Sequence, residues 1–178
     1  MKIIIKNADY SECYIKQGYK TFDTTSQEVT SYKNLNQTRV YGWYFGKNIM
    51  VKSLELPLVA TLMNPVTVKI FVADKTTKYL NFVSEGISLT TSDNNIVFTD
   101  EGLAVGSNEV LGIMSVSGSS GGDCVGWTAI KDGVKCVNNI AYVDSLVEEG
   151  TLNTTSGTIG LENYSLFGKV IYEEVASE

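Results

Sequence analysis

The sequence predicts an all-β protein: an antiparallel, jelly-roll-like β-sandwich with at most one short helix. Period-two alternation and β-branched or aromatic runs recur along the chain. No segment keeps apolar residues at helical spacing over a dozen positions. The runs are short and divided by turn residues, the pattern of sheets closing over one core. With 178 residues, 43% of them hydrophobic and 19% charged, the chain reads as a single domain, 1–178, large enough to bury roughly 70% of its unfolded surface.

The expected strands are, in order, Lys2 to Lys6, Cys13 to Tyr19, Arg39 to Phe45, Ile49 to Leu58, Val66 to Ala73, Lys78 to Val83, Ile87 to Thr91 and Ile96 to Phe98. They continue with Leu103 to Val105, Glu109 to Val116, Cys124 to Ile130, Val134 to Val143 and a long last strand from Leu166 to Val175. In the run from Val66 to Val72, the apolar side chains at 66, 68, 70 and 72 share one face, and Thr67 and Lys69 point the other way. That strand is expected to cover a core on one side.

Between the runs stand Gly46-Lys47-Asn48, Asn64-Pro65, Ser92-Asp93-Asn94-Asn95 and Asp132-Gly133, each with turn chemistry. The polar interval 23–37 reads as a surface loop or an arm lying on a neighbour, and the Gly/Ser-rich stretch 117–123 as a flexible loop within the domain. A helix of a turn or two fits only Asp144 to Glu149, with Asp144 or Ser145 to cap it and Gly150 to end it.

Composition removes several functions. The chain has no histidine, so the commonest general base, the commonest zinc ligand and the Ser-His and Cys-His pairs are absent. The formal charge is −6, Arg39 is the one arginine, and the lysines form no run, which argues against nucleic acid and anionic membranes as partners. The apolar run Ile3-Ile4-Ile5 is too short for a signal-peptide core or a membrane span, so the chain is expected to stay where it is made unless it leaves as part of something larger.

Three groups deserve weighing as sites. Tyr41, Trp43, Tyr44 and Phe45 crowd one strand, and Trp127 lies in another. Alternation sends Tyr41, Trp43 and Phe45 to the core and Gly42 and Tyr44 outward. If part of the set Tyr41, Trp43, Tyr44 and Trp127 is exposed beside amides and acids, it can stack on a sugar. Asp93, Asp100 and Glu101, in two adjacent turns, offer oxygens of the kind that hold calcium, although Asp and Asn favour turns for backbone reasons as well. Otherwise no cofactor is expected. Cys124 and Cys136 flank the turn at Lys131-Asp132-Gly133 and can form a disulfide across a hairpin in an oxidising compartment; without a secretion signal, buried thiols are the simpler reading. The acids are read as solvated surface charge, and no catalytic pair is marked.

Several stretches resemble a known family. Ile3-Ile4-Ile5-Lys6-Asn7-Ala8-Asp9-Tyr10-Ser11 is similar to the opening of short β-rich virion proteins of bacteriophages that infect gut Bacteroides-type bacteria. The stretch from Gly46 to Ile49 leading into Leu54-Glu55-Leu56-Pro57-Leu58, with Pro65 to Ile70, resembles the family's strand pair. The stretch from Asn95 to Leu103 followed by Asn108 to Ile113 resembles its later strands. Tyr10 stands where the family has Phe. The resemblance implies a non-enzymatic head- or tail-fibre or adhesin-like β-sandwich located in the virion. Its implied partners are copies of itself as a homodimer or homotrimer, other virion proteins, and a host-surface glycan. A lectin-like, carbohydrate-binding β-sandwich module is the alternative.

Overall fold

The computed structural model describes residues 3–6, 18–36, 39–59, 65–99, 101–116, 119–140, 150–154 and 157–176. It is an antiparallel β-sandwich, as the alternation predicts, with sixteen strands and no helix among the described residues. The strands are β1 (Ile3–Lys6), β2 (Lys20–Asp23), β3 (Val29–Leu35), β4 (Arg39–Tyr44), β5 (Ile49–Glu55), β6 (Val66–Asp74), β7 (Leu80–Val83) and β8 (Ile87–Leu89). They continue as β9 (Asn95–Phe98), β10 (Leu103–Val105), β11 (Glu109–Ser115), β12 (Gly122–Ala129), β13 (Lys135–Ile140), β14 (Leu161–Glu162), β15 (Tyr164–Leu166) and β16 (Lys169–Glu174).

A six-stranded sheet runs β1-β9-β5-β16-β2, with β10 also on β5. A seven-stranded sheet runs β14-β13-β4-β11-β6-β7, with β8 also on β6. A three-stranded sheet, β15-β12-β3, stands beside them. Connections cross repeatedly between sheets, as in a jelly roll. β9 and β10 lie end to end along β5, interrupted opposite Lys52, which is the extra residue where the β5–β16 ladder shifts register. The Lys52 ammonium fills that interruption: it donates to the Glu101 carbonyl at 2.6 Å and pairs with Glu173 at 3.1 Å. β7 and β8 share β6 in the same way, broken at Ser84, whose hydroxyl accepts the Ile70 N–H at 2.8 Å.

Inner-face side chains of the two large sheets meet in one cluster. Phe22, Ile49, Val51, Ile96, Val170 and Tyr172 face Trp43, Val66, Val68, Ile70, Leu111 and Ile113. Burial of each such side chain stabilises the fold by about 1.5–3 kcal/mol before the entropy of ordering it is counted.

The seven-stranded sheet is also buried on its other face, and one-sided burial of β6 has to be corrected. Phe71 and Ala73 join Val40, Val110, Met114 and Val137 there, covered by Leu152 and Ile159. The covering chain is pinned by Leu152 N–H to the Lys78 carbonyl at 2.8 Å and Ile159 N–H to the Lys75 carbonyl at 3.0 Å. Gly42 and Gly112 face each other across β4 and β11, and Gly112 also faces Phe71 on β6. The Phe71 ring fills the space over Gly112: a Cβ there would fall 2.2 Å from its Cζ.

Three other expectations are revised. The interval 23–37 is no free loop or arm, because about half of it is β3, paired along its length with β12. The stretch 117–123 is tied at its described positions: Ser119 Oγ accepts the Thr67 N–H at 2.8 Å, Gly121 N–H donates to Leu35 at 2.8 Å, and Gly122 and Asp123 begin β12. The last strand divides at Phe167-Gly168 into β15 and β16, which belong to different sheets. β16 lies inside its sheet between β5 and β2. Residues 13–17, of the strand expected from Cys13 to Tyr19, and the short helix expected from Asp144 to Glu149 lie outside the described residues.

Gly112→Ala is expected to lower stability by about 1–3 kcal/mol, the range of an overpacked core, read as the urea midpoint. Adding Phe71→Leu should return part of that loss. Gly42→Ala, whose Cβ would fall 2.0 Å from the Leu111 carbonyl oxygen, should not be rescued by it, because backbone is struck there.

Candidate functional site

β4 carries most of the aromatic set, and alternation sorts it as the sequence predicts. Tyr41 (2% exposed) and Trp43 (0%) point into the core, Phe45 packs partly against it, and Tyr44 turns to the opposite face beneath the Lys75 ammonium, 5.4 Å from its ring. The Tyr41 hydroxyl donates to the Asn34 carbonyl at 3.0 Å, and burial pushes its pKa up to about 12. Trp127, on β12, is 6% exposed. Its indole meets the edge of Tyr41 at 6.5 Å, stacks on Tyr164 at 5.4 Å and carries the Lys33 ammonium 4.4 Å from its centre.

Thus Tyr41, Trp43 and Trp127 have no open ring face for a sugar. The aromatic line runs from the core outward, Tyr41 to Trp127 to Tyr164, and only the last, 42% exposed, reaches solvent. Tyr164 was not singled out by the sequence. It lies diagonal to Trp127, since Tyr164 faces Ala129 and Leu166 faces Trp127, and that proximity follows from pairing across the fold.

The two acidic turns are held by their own hydrogen bonds. Asp93 N–H donates to Thr90 Oγ1 at 2.9 Å, and the Asn94 amide donates to the carbonyls of Thr90 and Thr91. Glu101 is exposed, and its carbonyl is taken by Lys52. Asp100 lies outside the described residues. Among the described residues, no group of three or more cysteines and carboxylates converges as a metal site would require.

Cys124 and Cys136 are free, buried thiols, the simpler of the two readings of the sequence. The turn itself is as read: Asp132 and Gly133 both have positive φ (52° and 70°), and Lys131 and Val134 bridge across them. Beyond that bridge β12 and β13 part, one to the three-stranded sheet and one to the seven-stranded sheet, where Cys136 faces Trp43 and Glu162 instead. Burial pushes Cys124 up to about 11 and Cys136 up to about 12. Both are therefore uncharged thiols near neutral pH.

The exposed charges form ties between strands. Glu174 accepts from Lys47 and pairs with Lys20 at 3.0 Å, which holds its carboxyl below the usual range. Asp74 is held low by the N–H groups of Thr77 and Thr76 and by the Asn108 amide. No protein-family model matches the chain, and no curated protein matches it in sequence.

Two measurements check these assignments. Native protein at pH 8 should leave Cys124 and Cys136 unalkylated in peptide maps while the unfolded chain labels both; ready native labelling of either would overturn their burial. For Asp74 and Glu174, a folded pKa below the unfolded one adds stability that is fully present above the unfolded value and is lost as pH falls from there through the lowered folded value. Asp74→Asn combined with Glu174→Gln should accordingly flatten the fall of the urea midpoint between about pH 5 and 3.

Proposed function

We propose that the chain is a non-enzymatic structural protein of a bacteriophage particle, a head- or tail-fibre component that assembles with copies of itself and with other virion proteins and contributes to attachment at the host surface. The observation that carries the reading is the use of the interior. Both faces of the seven-stranded sheet are filled, and Tyr41, Trp43, Trp127, Cys124 and Cys136 are all committed to packing. What the described residues offer a partner is the outside: sheet edges, paired charges and the exposed rings of Tyr32, Tyr79 and Tyr164. The family resemblance supports the same reading. Its stretches fall on β1, β5, β6, β9, β10 and β11, the strands that build the two large sheets.

A lectin-like module is the second reading, favoured by Tyr164, whose exposed ring stacked on Trp127 is a rigid platform for a sugar. Native mass spectrometry separates the two. A fibre component should appear as two or three 19.4 kDa chains, joined by about 2,000 Å² or more of interface if the contact is obligate, and antibody raised against it should label phage particles. A monomer at every concentration, together with saturation-transfer signals from a glycan that vanish in Tyr164→Ala, would replace the first reading with the second.

A further inference from the structure

We propose that Trp127 and Tyr164 form an outlet for oxidative damage: an electron lost from the buried indole is replaced by Tyr164, so that a one-electron oxidation of the core ends as a tyrosyl radical at the surface. This activity lies beyond assembly and attachment and holds for the fibre and the lectin-like readings alike.

Electrons pass readily between aromatic rings in contact, and the rate falls steeply as a gap opens. The Trp127 and Tyr164 rings are stacked, with centroids 5.4 Å apart and planes 27° apart, and the edge of Tyr41 meets the indole from the core side at 6.5 Å. Among the described ring contacts no other indole meets a phenol. The second aromatic group joins Phe45 to Phe22 and Tyr172, and phenylalanine is a poor electron donor.

Protons and charge set the direction. An oxidised phenol is stable only once its proton has gone, so it needs an acceptor. Tyr164 is 42% exposed and has water. Tyr41 is buried and donates its hydroxyl to the Asn34 carbonyl at 3.0 Å, and a peptide carbonyl does not keep a proton. Burial already holds that proton tightly, with the Tyr41 pKa pushed up to about 12. The inner ring is therefore a poor resting place for the lost electron's charge.

Trp127 is a poor one too. Its Nε1–H is buried without a hydrogen-bond partner among the described residues, so the oxidised indole keeps its proton and stays a radical cation. The Lys33 ammonium, 4.4 Å from the ring centre, repels that charge. β3 and β15 flank β12, so the cation reaches the indole from one neighbouring strand and the electron donor stands on the other.

The electron count closes simply. A one-electron oxidant, such as an oxygen-derived radical, takes an electron from Trp127. Tyr164 passes an electron to the indole and its phenolic proton to water, which restores Trp127 and leaves a neutral tyrosyl radical. A thiol in solution ends the sequence by giving that radical a hydrogen atom. Cys124 and Cys136 lie in the same buried cluster as Trp127, and oxidation of either would put polar oxygen into the core. The outlet spares them.

Pulse radiolysis of the full chain with azide radical, which oxidises indoles ahead of phenols near neutral pH, tests the outlet. In wild type the indolyl absorbance should give way to tyrosyl absorbance in a first-order step whose rate does not change with protein concentration. Tyr164→Phe, which keeps the stack and removes the phenol, should slow that step at least tenfold and leave oxidised Trp127 in peptide maps. Tyr79→Phe and Tyr41→Phe should transfer as wild type does, and Lys33→Met, which removes the charge, should transfer several-fold more slowly. Near-ultraviolet dichroism checks that each variant is folded. Transfer at the wild-type rate in Tyr164→Phe, slowing in Tyr41→Phe, or a rate that rises with protein concentration overturns the outlet; transfer at the wild-type rate in Lys33→Met overturns the part given to Lys33.

Discussion

The seven-stranded sheet has to be covered twice, and that constraint organises the rest of the chain. A sheet in a two-layer sandwich normally leaves one face to water, and polar residues alternate onto that face. Here β4, β6 and β11 carry apolar residues on both faces at their centre, and the side away from the sandwich is closed by Leu152 and Ile159. Close cover over pleated strands requires a flat place. Gly42 and Gly112 provide it, and Phe71 fills it. With the middle strands anchored on both sides, the chain before β14 is drawn across that outer face, and β15 beyond it joins β12 and β3 in the third sheet.

That third sheet is attached at a corner rather than by a shared strand. The chain passes from the six-stranded sheet into β3 at Thr24, and returns from β15 to β16 at Gly168. Thr24 joins the two passages: its N–H donates to the Gly168 carbonyl at 3.0 Å, its hydroxyl lies 2.8 Å from the Leu166 carbonyl, and the Gly168 N–H donates to the same hydroxyl at 2.9 Å. Thr24 is fully buried, so each of these groups would otherwise be an orphan costing about 1–3 kcal/mol. The corner is fixed by local hydrogen bonds, and among the described residues β3 is the outer strand of its sheet.

Much of this was legible in the chain. Alternation placed β6, and the same period sorted Tyr41, Trp43 and Tyr44 onto their observed faces. Asp132-Gly133 announced a turn that both residues adopt with positive φ. Signals for the less obvious features were present as well. The consecutive apolar residues of Phe71-Val72-Ala73 and of Val110-Leu111 depart from alternation, the mark of a strand covered on both faces. Gly168 inside an apolar run marks a close backbone approach, and a Cβ there would fall 2.6 Å from the Glu55 carbonyl. β3 was hidden because its polar residues fall on both faces, as an edge strand allows. The parting of β12 and β13 had no local sign: which sheet each strand joins is decided by partners far away along the chain, such as Val29–Leu35 for β12 and Arg39–Tyr44 for β13.

The candidate site was less legible than the fold for a related reason. Residue type says which side chains can stack, ligate or pair, whereas exposure is set by packing between segments distant in sequence. Trp127 is the clearest case. Its indole looks like a binding surface in isolation, yet Tyr41 closes its edge, Lys33 caps its face and Tyr164 lies on it. Each neighbour comes from a different strand, so the aromatic group became part of the wall and Tyr164 inherited its exposure. The same trade holds across the described residues: the more of the reactive and aromatic side chains the sandwich encloses, the fewer remain at its surface.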